Sequence, residues 1–465
     1  MIDLFYRHLL IRGFESGIKR RKTFAYWRQL DHSQWLPADE LRALQLTELQ
    51  NLLVHAGAAC PYYRDAWQSL KLDPRGVRSI EDFQQWPVID RETIRDNRSQ
   101  MRGASAEMRL MKKATGGSSG VPLEFDLNDD SNDRRMAAWH RGYGWAGAQP
   151  GTRQWHLWGG AVGAPSRLKR VKDAFYHRLY RRSMANSFGL SEARLPWYLE
   201  QLNRCRPHSI VAYTNPLYFF ARTLEERGLV PFSPKSIIVG AEKLHDFQRE
   251  TIRRVFRAPV FETYGSREFM LIGGECEQHA GLHLSLENLL VEVLDDEGTP
   301  TPSGEEGNVV ITDLTNYGMP FIRYANGDRA VAGNELCRCG RGLPLLKKVV
   351  GRRLDMLETP DGRQIPGEFF PHLMKEYSAI RRFQILQEEL HSIQVRLVVS
   401  GQWNNSSRQS LEQQIRGVVG EALEIDIAIV DDIPLTQAGK LQVVVRRMAA
   451  NCQLAPSVPQ KHSGA

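Results

Sequence analysis

The sequence predicts an α/β protein: a large N-terminal α/β domain followed by a small α+β domain. Two patterns carry that reading. From about Leu110, short β-rich runs alternate with helical stretches, the signature of strands covered by crossover helices. The last hundred residues then form a self-contained strand–strand–helix–strand series. The expected boundaries are a large domain over 1–350, whose first 100 residues are a helical lead-in, a small mobile domain over 351–450, and a disordered tail over 451–465.

In the lead-in, Leu41, Leu44, Leu49, Leu52 and Leu53 recur at helical spacing, and Pro61-Tyr62-Tyr63 is expected to stop that helix. Strands are expected at Ser209–Tyr213, Ile237–Val239 and Val260–Thr263, with helices over Pro216–Arg227 and His245–Phe256 between them. Beyond residue 284 the pattern turns antiparallel: Leu289–Leu294, a turn at Asp295–Gly298, then Asn308–Thr312. The small domain offers strands at Phe383–Gln387, Ser392–Ser400 and Glu424–Val430, with a polar helix over Ser407–Val419. The tail from Ala455 is rich in Pro, Ser and Gly.

Composition narrows the function classes. The chain has 465 residues, 42% hydrophobic and 25% charged, which supplies enough apolar surface for a sizeable core. No apolar run approaches the ~20 residues that span a bilayer. Asp3, Arg7 and His8 interrupt the apolar start, so no signal-peptide core is read there, and a cytoplasmic location is expected. The net charge of +7 comes without a basic–aromatic motif of a nucleic-acid reader, so no nucleic-acid partner is expected. Six cysteines are too few for a disulfide scaffold; Cys337-x-Cys339 reads as a metal pair before a disulfide.

The sharpest motif is Thr115-Gly116-Gly117-Ser118-Ser119-Gly120. Three glycines let main-chain N–H groups curl around phosphate oxygens, and three hydroxyls add donors. It is not a Walker A loop, because Val121 stands where that motif requires lysine. Downstream follow Gly240-Ala241-Glu242, the run Glu262-Thr263-Tyr264-Gly265-Ser266-Arg267-Glu268, Ile322-Arg323-Tyr324 with Gly327-Asp328, Gly351 to Leu357, and Gly439-Lys440. In this order and spacing they resemble the adenylate-forming (AMP-binding) superfamily, and within it the phenylacetate–CoA ligase family and its capsular-polysaccharide-biosynthesis branch. The resemblance covers about residues 40 to 445.

That resemblance implies a fold of the adenylate-forming type and a role for each matched position. Thr115 to Gly120 would hold the ATP β- and γ-phosphates. Gly240, Ala241 and Glu242 would line an adenine slot. The Glu262, Tyr264, Gly265 and Ser266 run would continue the ATP site, with the Tyr264 ring on adenine. Glu268 would hold Mg²⁺, Asp328 the ribose hydroxyls, and Arg352 the ribose or the interdomain joint. Lys440 is the implied catalytic group, because attack of a carboxylate on the α-phosphate brings two anions together. Two positions depart from the family: Val121 replaces a lysine, and Leu354 stands at the first of two hinge aspartates, near the implied pivot of Gly351 to Leu357.

With one histidine, Cys276, Cys337 and Cys339 would make a tetrahedral zinc set of the kind the resemblance implies, the alternative being three reduced cysteines and a surface histidine. The Gly281-Leu282-His283 run matches the family better than His279, and the implied zinc is structural. The implied reaction is acyl-AMP formation from a carboxylic acid and ATP, then transfer to coenzyme A or an amine acceptor, in envelope polysaccharide biosynthesis for the capsular branch. The alternative is a degenerate, nucleotide-binding scaffold. Tyr143, Trp145, Trp155, Trp158 and Tyr213 are expected to line an aromatic acid pocket or to be core. Residues 167–182 carry seven Lys or Arg around Leu168, Val171, Phe175 and Leu179. That segment reads either as a helix with one buried stripe or as a peripheral-membrane or polyanion dock.

Overall fold

The computed structural model describes residues 2–103, 108–115, 123–159, 167–190, 193–333, 335–352, 356–360, 364–366, 369–374, 376–377, 379–401, 403–434 and 441–447. The chain divides into two compact units that part between Val350 and Gly351. Among the described residues, no helix is long and apolar enough to cross a membrane.

The first unit opens with helices, including Thr23–Ser33, Ala38–Ala59 and Pro61–Ser69. Pro61 does not simply stop a helix. Cys60 takes the extended conformation favoured before proline, and Pro61 then starts the next helix at its first turn, where the missing N–H costs nothing. A hairpin of β1 (Leu110–Ala114) and β2 (Glu124–Asn128) follows.

The main sheet has eleven strands. Its parallel half comprises β3 (Gln154–Trp158), β4 (Arg182–Asn186), β5 (Ser209–Tyr213), β6 (Ser236–Gly240) and β7 (Val260–Tyr264). The rest are β8 (Gly273–Glu275), β9 (Leu282–Leu284), β10 (Leu289–Leu294), β11 (Glu306–Asp313), β12 (Tyr324–Ala332) and β13 (Leu345–Arg352). Spatial order is β10-β11-β12-β13-β9-β8-β7-β6-β5-β3-β4. The β4–β3–β5–β6–β7 ladders are parallel, and β8 returns antiparallel to β7.

Packing explains the strand patterns. β5 and β6 are buried at every position, as strands covered on both faces must be, and they read as continuous apolar runs. Trp155, Ile210, Ile237, Phe220 and Phe256 close one core around them. Tyr63, Trp67, Phe83, Phe321 and Tyr324 form another, between the lead-in helices and the antiparallel strands. The expected strands at Ser209–Tyr213 and Leu289–Leu294 have their expected ends. β3, β4, β8, β9, β12 and β13 are not among the strands expected from the sequence; β8 and β9 are only three residues long, and β12 carries Asn326-Gly327-Asp328, which opposes strand structure locally.

In the second unit, β14 (Met356–Glu358) and β15 (Gln364–Pro366) form a hairpin. β16 (Ile380–Glu389), β17 (Ser392–Val399), β18 (Glu424–Ile429) and β19 (Val444–Arg446) make a sheet of order β18-β17-β16-β19. Helix Asn405–Val419 is capped by Asn404, whose side chain accepts from Ser407 N at 2.9 Å. It buries Leu411, Ile415 and Val419, four residues apart, on that sheet.

The Ile322-Arg323-Tyr324 motif is structural. Arg323 is 2% exposed and grips Glu292 with two bonds of 3.1 and 3.0 Å. Its other nitrogen donates to the carbonyls of Gln84 and Trp86, while its own carbonyl accepts from Ile89 N at 2.9 Å. One buried cation thereby ties the lead-in to the antiparallel strands. Arg323→Met leaves Glu292 buried without its partner and is expected to destabilise the first unit by about 3–5 kcal/mol. Adding Glu292→Leu should recover most of that loss; denaturant titration of both variants checks it, and an equal loss in the double variant contradicts it.

Candidate active site

Of the residues singled out in the sequence, Gly240 and Tyr264 end the parallel strands β6 and β7, the side of an open α/β sheet where ligands bind. Gly240 ends β6, and a Cβ there would lie 2.4 Å from Thr263 Oγ1, so only glycine lets β6 and β7 close up. Ala241 follows with φ +67°, a left-handed turn. Glu242 accepts from Asn215 N at 2.8 Å, at the start of helix Thr214–Glu226, where a carboxylate complements the helix dipole. The segment after β6 is thus braced by the helix that follows β5.

β7 delivers Tyr264 and the loop behind it. The Tyr264 hydroxyl donates to Asp328 Oδ2 at 2.7 Å. Asn326 Nδ2 donates to the same tyrosine oxygen and the same carboxylate, each at 2.8 Å. The Asp328 N–H returns to Asn326 Oδ1 at 3.0 Å. Tyr264 and Asp328 are singled out in the sequence; Asn326, two residues upstream on β12, is not, and its amide fixes both. Gly265 is obligatory, because a Cβ would meet the Met270 carbonyl at 2.0 Å. Ser266 Oγ accepts from Phe269 N at 3.3 Å, curling the loop so that Glu268 is buried.

Arg135 is the second missed residue. It is buried, pairs with Asp313 and donates to the carbonyl of Glu268, so it holds the loop from beneath. Arg267 Nε donates to the Ala114 carbonyl at 3.3 Å, tying that loop to the end of β1. Thr115 follows; its Oγ1 accepts from Arg91 at 2.7 Å and Leu123 N at 2.9 Å, which pins the base of the glycine-rich segment. Gly116, Gly117, Ser118, Ser119, Gly120, Val121, Leu354 and Lys440 lie outside the described residues, as does the Arg352 side chain.

The expected aromatic pocket is partly redistributed. Trp139, Tyr143 and Trp158 gather beside Phe261 and Leu271, with Trp139 and Tyr143 4.6 Å apart, and Tyr213 meets Trp158 at 4.3 Å. Trp155 is instead wholly core. Trp145 packs edge-on to His283 at 5.4 Å and donates to Gln34 at 2.8 Å, away from that group.

His283 sits in the second cluster. One ligand atom each of Cys276, His283, Cys337 and Cys339 lies within 4.8 Å of the others. Cys276 and Cys337 sulfurs are 3.7 Å apart, and Cys339 Sγ is 3.4 Å from His283 Nε2. His279 is occupied elsewhere, by Glu275 at 3.2 Å and by the Phe261 ring. Burial pushes the His283 imidazole down to about 4, which keeps its ring neutral and able to ligate.

The fold is the one seen in solved structures of adenylate-forming CoA ligases. The solved structure of 2-hydroxyisobutyryl-CoA ligase with 2-HIB-AMP, in its postadenylation state, has the same fold: TM-score 0.70, 20% identity, covering 90% of this chain and 91% of that one. The chain is a homologue of the phenylacetate–CoA ligases and of CapK. It is 26% identical to phenylacetate-coenzyme A ligase of Thermus thermophilus, over 88% of this chain and 97% of the relative. It is 22% identical to Protein CapK of Staphylococcus aureus, over 96% and 100% respectively. Residues 357–447 match the family described as the CapK C-terminal domain.

Beside β7, Glu275 takes Arg249 with bonds of 2.8 and 3.0 Å and also accepts from Glu262 N at 2.7 Å. Glu262 is left with a longer 3.8 Å approach to Arg249. Burial, then the Glu275 charge, push its carboxyl up to about 7. A raised carboxyl favours the folded state when protonated, so this stability is full below about pH 4.5 and is lost as pH rises through 7. Glu262→Gln, neutral throughout, should remove that fall, a relative gain on the order of 3 kcal/mol by pH 8. Urea midpoints of both proteins at pH 5 and pH 8 test it; parallel pH slopes contradict it.

Proposed function

We propose that this protein is an ATP-dependent ligase that activates a carboxylic acid as an acyl-adenylate and passes the acyl group to coenzyme A or to an amine. A carboxylate oxygen attacks the α-phosphorus, the α–β phosphoanhydride bond breaks, and pyrophosphate leaves. The acceptor then attacks the acyl carbon, and AMP departs with the bonding pair. The observation that carries this reading is the Tyr264–Asn326–Asp328 arrangement at the end of β7, in a chain homologous to phenylacetate–CoA ligases along nearly its whole length.

In this reading Asp328 holds the ribose hydroxyls and Tyr264, its ring fixed through its hydroxyl, offers a face to adenine. Thr115 anchors the glycine-rich segment around the phosphates, with Glu262, Gly265 and Ser266 shaping the floor. Glu268 is a hard oxygen donor on a braced loop, which fits Mg²⁺; the ion would neutralise phosphate charge. Lys440 meets charge developing on the α-phosphate. Trp139, Tyr143, Trp158 and Tyr213 suit a flat acid. The resemblance to the capsular branch and the CapK-type C-terminal domain support a place in envelope polysaccharide biosynthesis.

The Cys276, His283, Cys337 and Cys339 set fits zinc: three sulfurs and an imidazole nitrogen already converge, and the set is mostly buried. The metal would tie the β8–β9 segment to the turn before β13, as a closed structural site.

Two experiments test these assignments. ATP–pyrophosphate exchange over a panel of carboxylic acids should reveal a substrate, and Lys440→Ala should lower exchange by about 10² or more, with ATP affinity changed much less. Exchange at the wild-type rate rules out that lysine, and no exchange with any acid favours the scaffold reading. For the metal, elemental analysis of protein purified without chelator should find about one zinc per chain. Cys337→Ser/Cys339→Ser should lose it together with thermal stability; full alkylation of all three cysteines in the folded protein would dispose of the site.

A further inference from the structure

Helix Arg167–Leu179 connects β3 to its parallel neighbour β4, the edge strand of the main sheet. A crossover helix ordinarily buries an apolar stripe on the sheet. This one buries no residue fully, and only towards its C-terminus are residues half-buried, Tyr176 and Leu179 among them. Leu168, Val171 and Phe175 share one face, and they are 80, 68 and 56% exposed. The expected buried stripe is therefore overturned at Leu168, Val171 and Phe175, while Leu179 packs against the small core that holds Ile11 and Tyr180, and the exposed part of the face needs another explanation.

The N-terminal helical segment lies alongside. Phe14 meets Phe175 edge-on at 5.8 Å, and Tyr6 and Ile11 share a small core with Tyr176, Leu179 and Tyr180. That segment leaves Phe5, Leu9 and Ile18 exposed as well, at 51, 61 and 74%. Residues 1–22 and 167–179 together carry eleven Lys and Arg against three Asp and Glu, a surplus larger than the +7 of the whole chain. Arg167, Arg170, Lys172, Arg12 and Arg20 are among those exposed.

We infer that this face docks peripherally on an anionic lipid surface, with Leu168, Val171 and Phe175 entering the headgroup–acyl boundary and the flanking basic side chains meeting lipid phosphates. Charge argues for this occupant over a second copy of the chain, whose identical basic face would repel it. The exposed apolar side chains argue for lipid over a soluble polyanion, which offers them nothing.

The test is sedimentation of the full-length protein with vesicles of phosphatidylglycerol and phosphatidylcholine, against pure phosphatidylcholine. Binding should require the anionic lipid. Arg167→Gln/Lys169→Gln/Arg170→Gln/Lys172→Gln should weaken it by about a hundredfold or more, and Leu168→Ser/Val171→Ser by about tenfold. No preference for the anionic vesicles in the wild-type protein overturns the inference. So does undiminished binding by Leu168→Ser/Val171→Ser, which would mark a polyanion dock. A wild-type dimer in solution that this serine pair dissociates would assign the face to a second copy and overturn it equally.

Discussion

A buried guanidinium organises the site region. Arg135 projects from helix Asp129–Trp145 into a place with almost no solvent, where an unpaired cation would be prohibitive. Asp313, at the end of β11, neutralises it, and the Glu268 carbonyl takes a further N–H. Asp313 is itself held, accepting from Thr315 N and Oγ1 at 3.1 and 2.9 Å. Helix, strand and loop are thereby locked through one charge, and the loop after β7 inherits their rigidity. Removing either partner would strand the other, so the arrangement is specific as well as stable.

The division of the main sheet gives that lock its use. The parallel half presents the ends of β5, β6 and β7 together, which is where Tyr213, Gly240 and Tyr264 stand. The antiparallel half brings β12 back so that Asn326 and Asp328 reach Tyr264 across 62 and 64 residues of chain. Arg323 performs a similar service further out, securing the lead-in helices against those antiparallel strands. The Cys/His cluster brings together β9, a three-residue strand, and the turn that precedes β13.

One surface departs from this economy of burial. Helix Arg167–Leu179 has the residue pattern of a half-buried helix, yet most of its apolar side is exposed. Pattern fixes which residues share a face; it does not say what covers them. The aromatic residues teach the same point. Trp145, Trp155 and Trp158 fall within one short stretch, but strand alternation and a helix end send them to the Cys/His cluster, the core and the Tyr213 group respectively.

What the sequence determined by itself was local or order-dependent. Continuous apolar runs specified β5 and β6, because a strand covered on both faces has no polar side to show. The glycines at 240 and 265 were legible as parts of motifs, and the reason for them is steric, a backbone approach that admits no Cβ. Tertiary structure alone decided the rest. Asn326 had no signal, since an asparagine before glycine reads as a turn until β12 sets it against Tyr264. Arg135 and Arg323 look like surface charges on a helix and a loop, and only the distant carboxylates Asp313 and Glu292 permit their burial. The choice of His283 over His279 rested on resemblance until β9 paired with β13 and turned one ring toward the cysteines while Glu275 held the other. Each of these depends on a partner remote in sequence, and pairing between remote groups is what a folded chain decides and a local pattern does not carry.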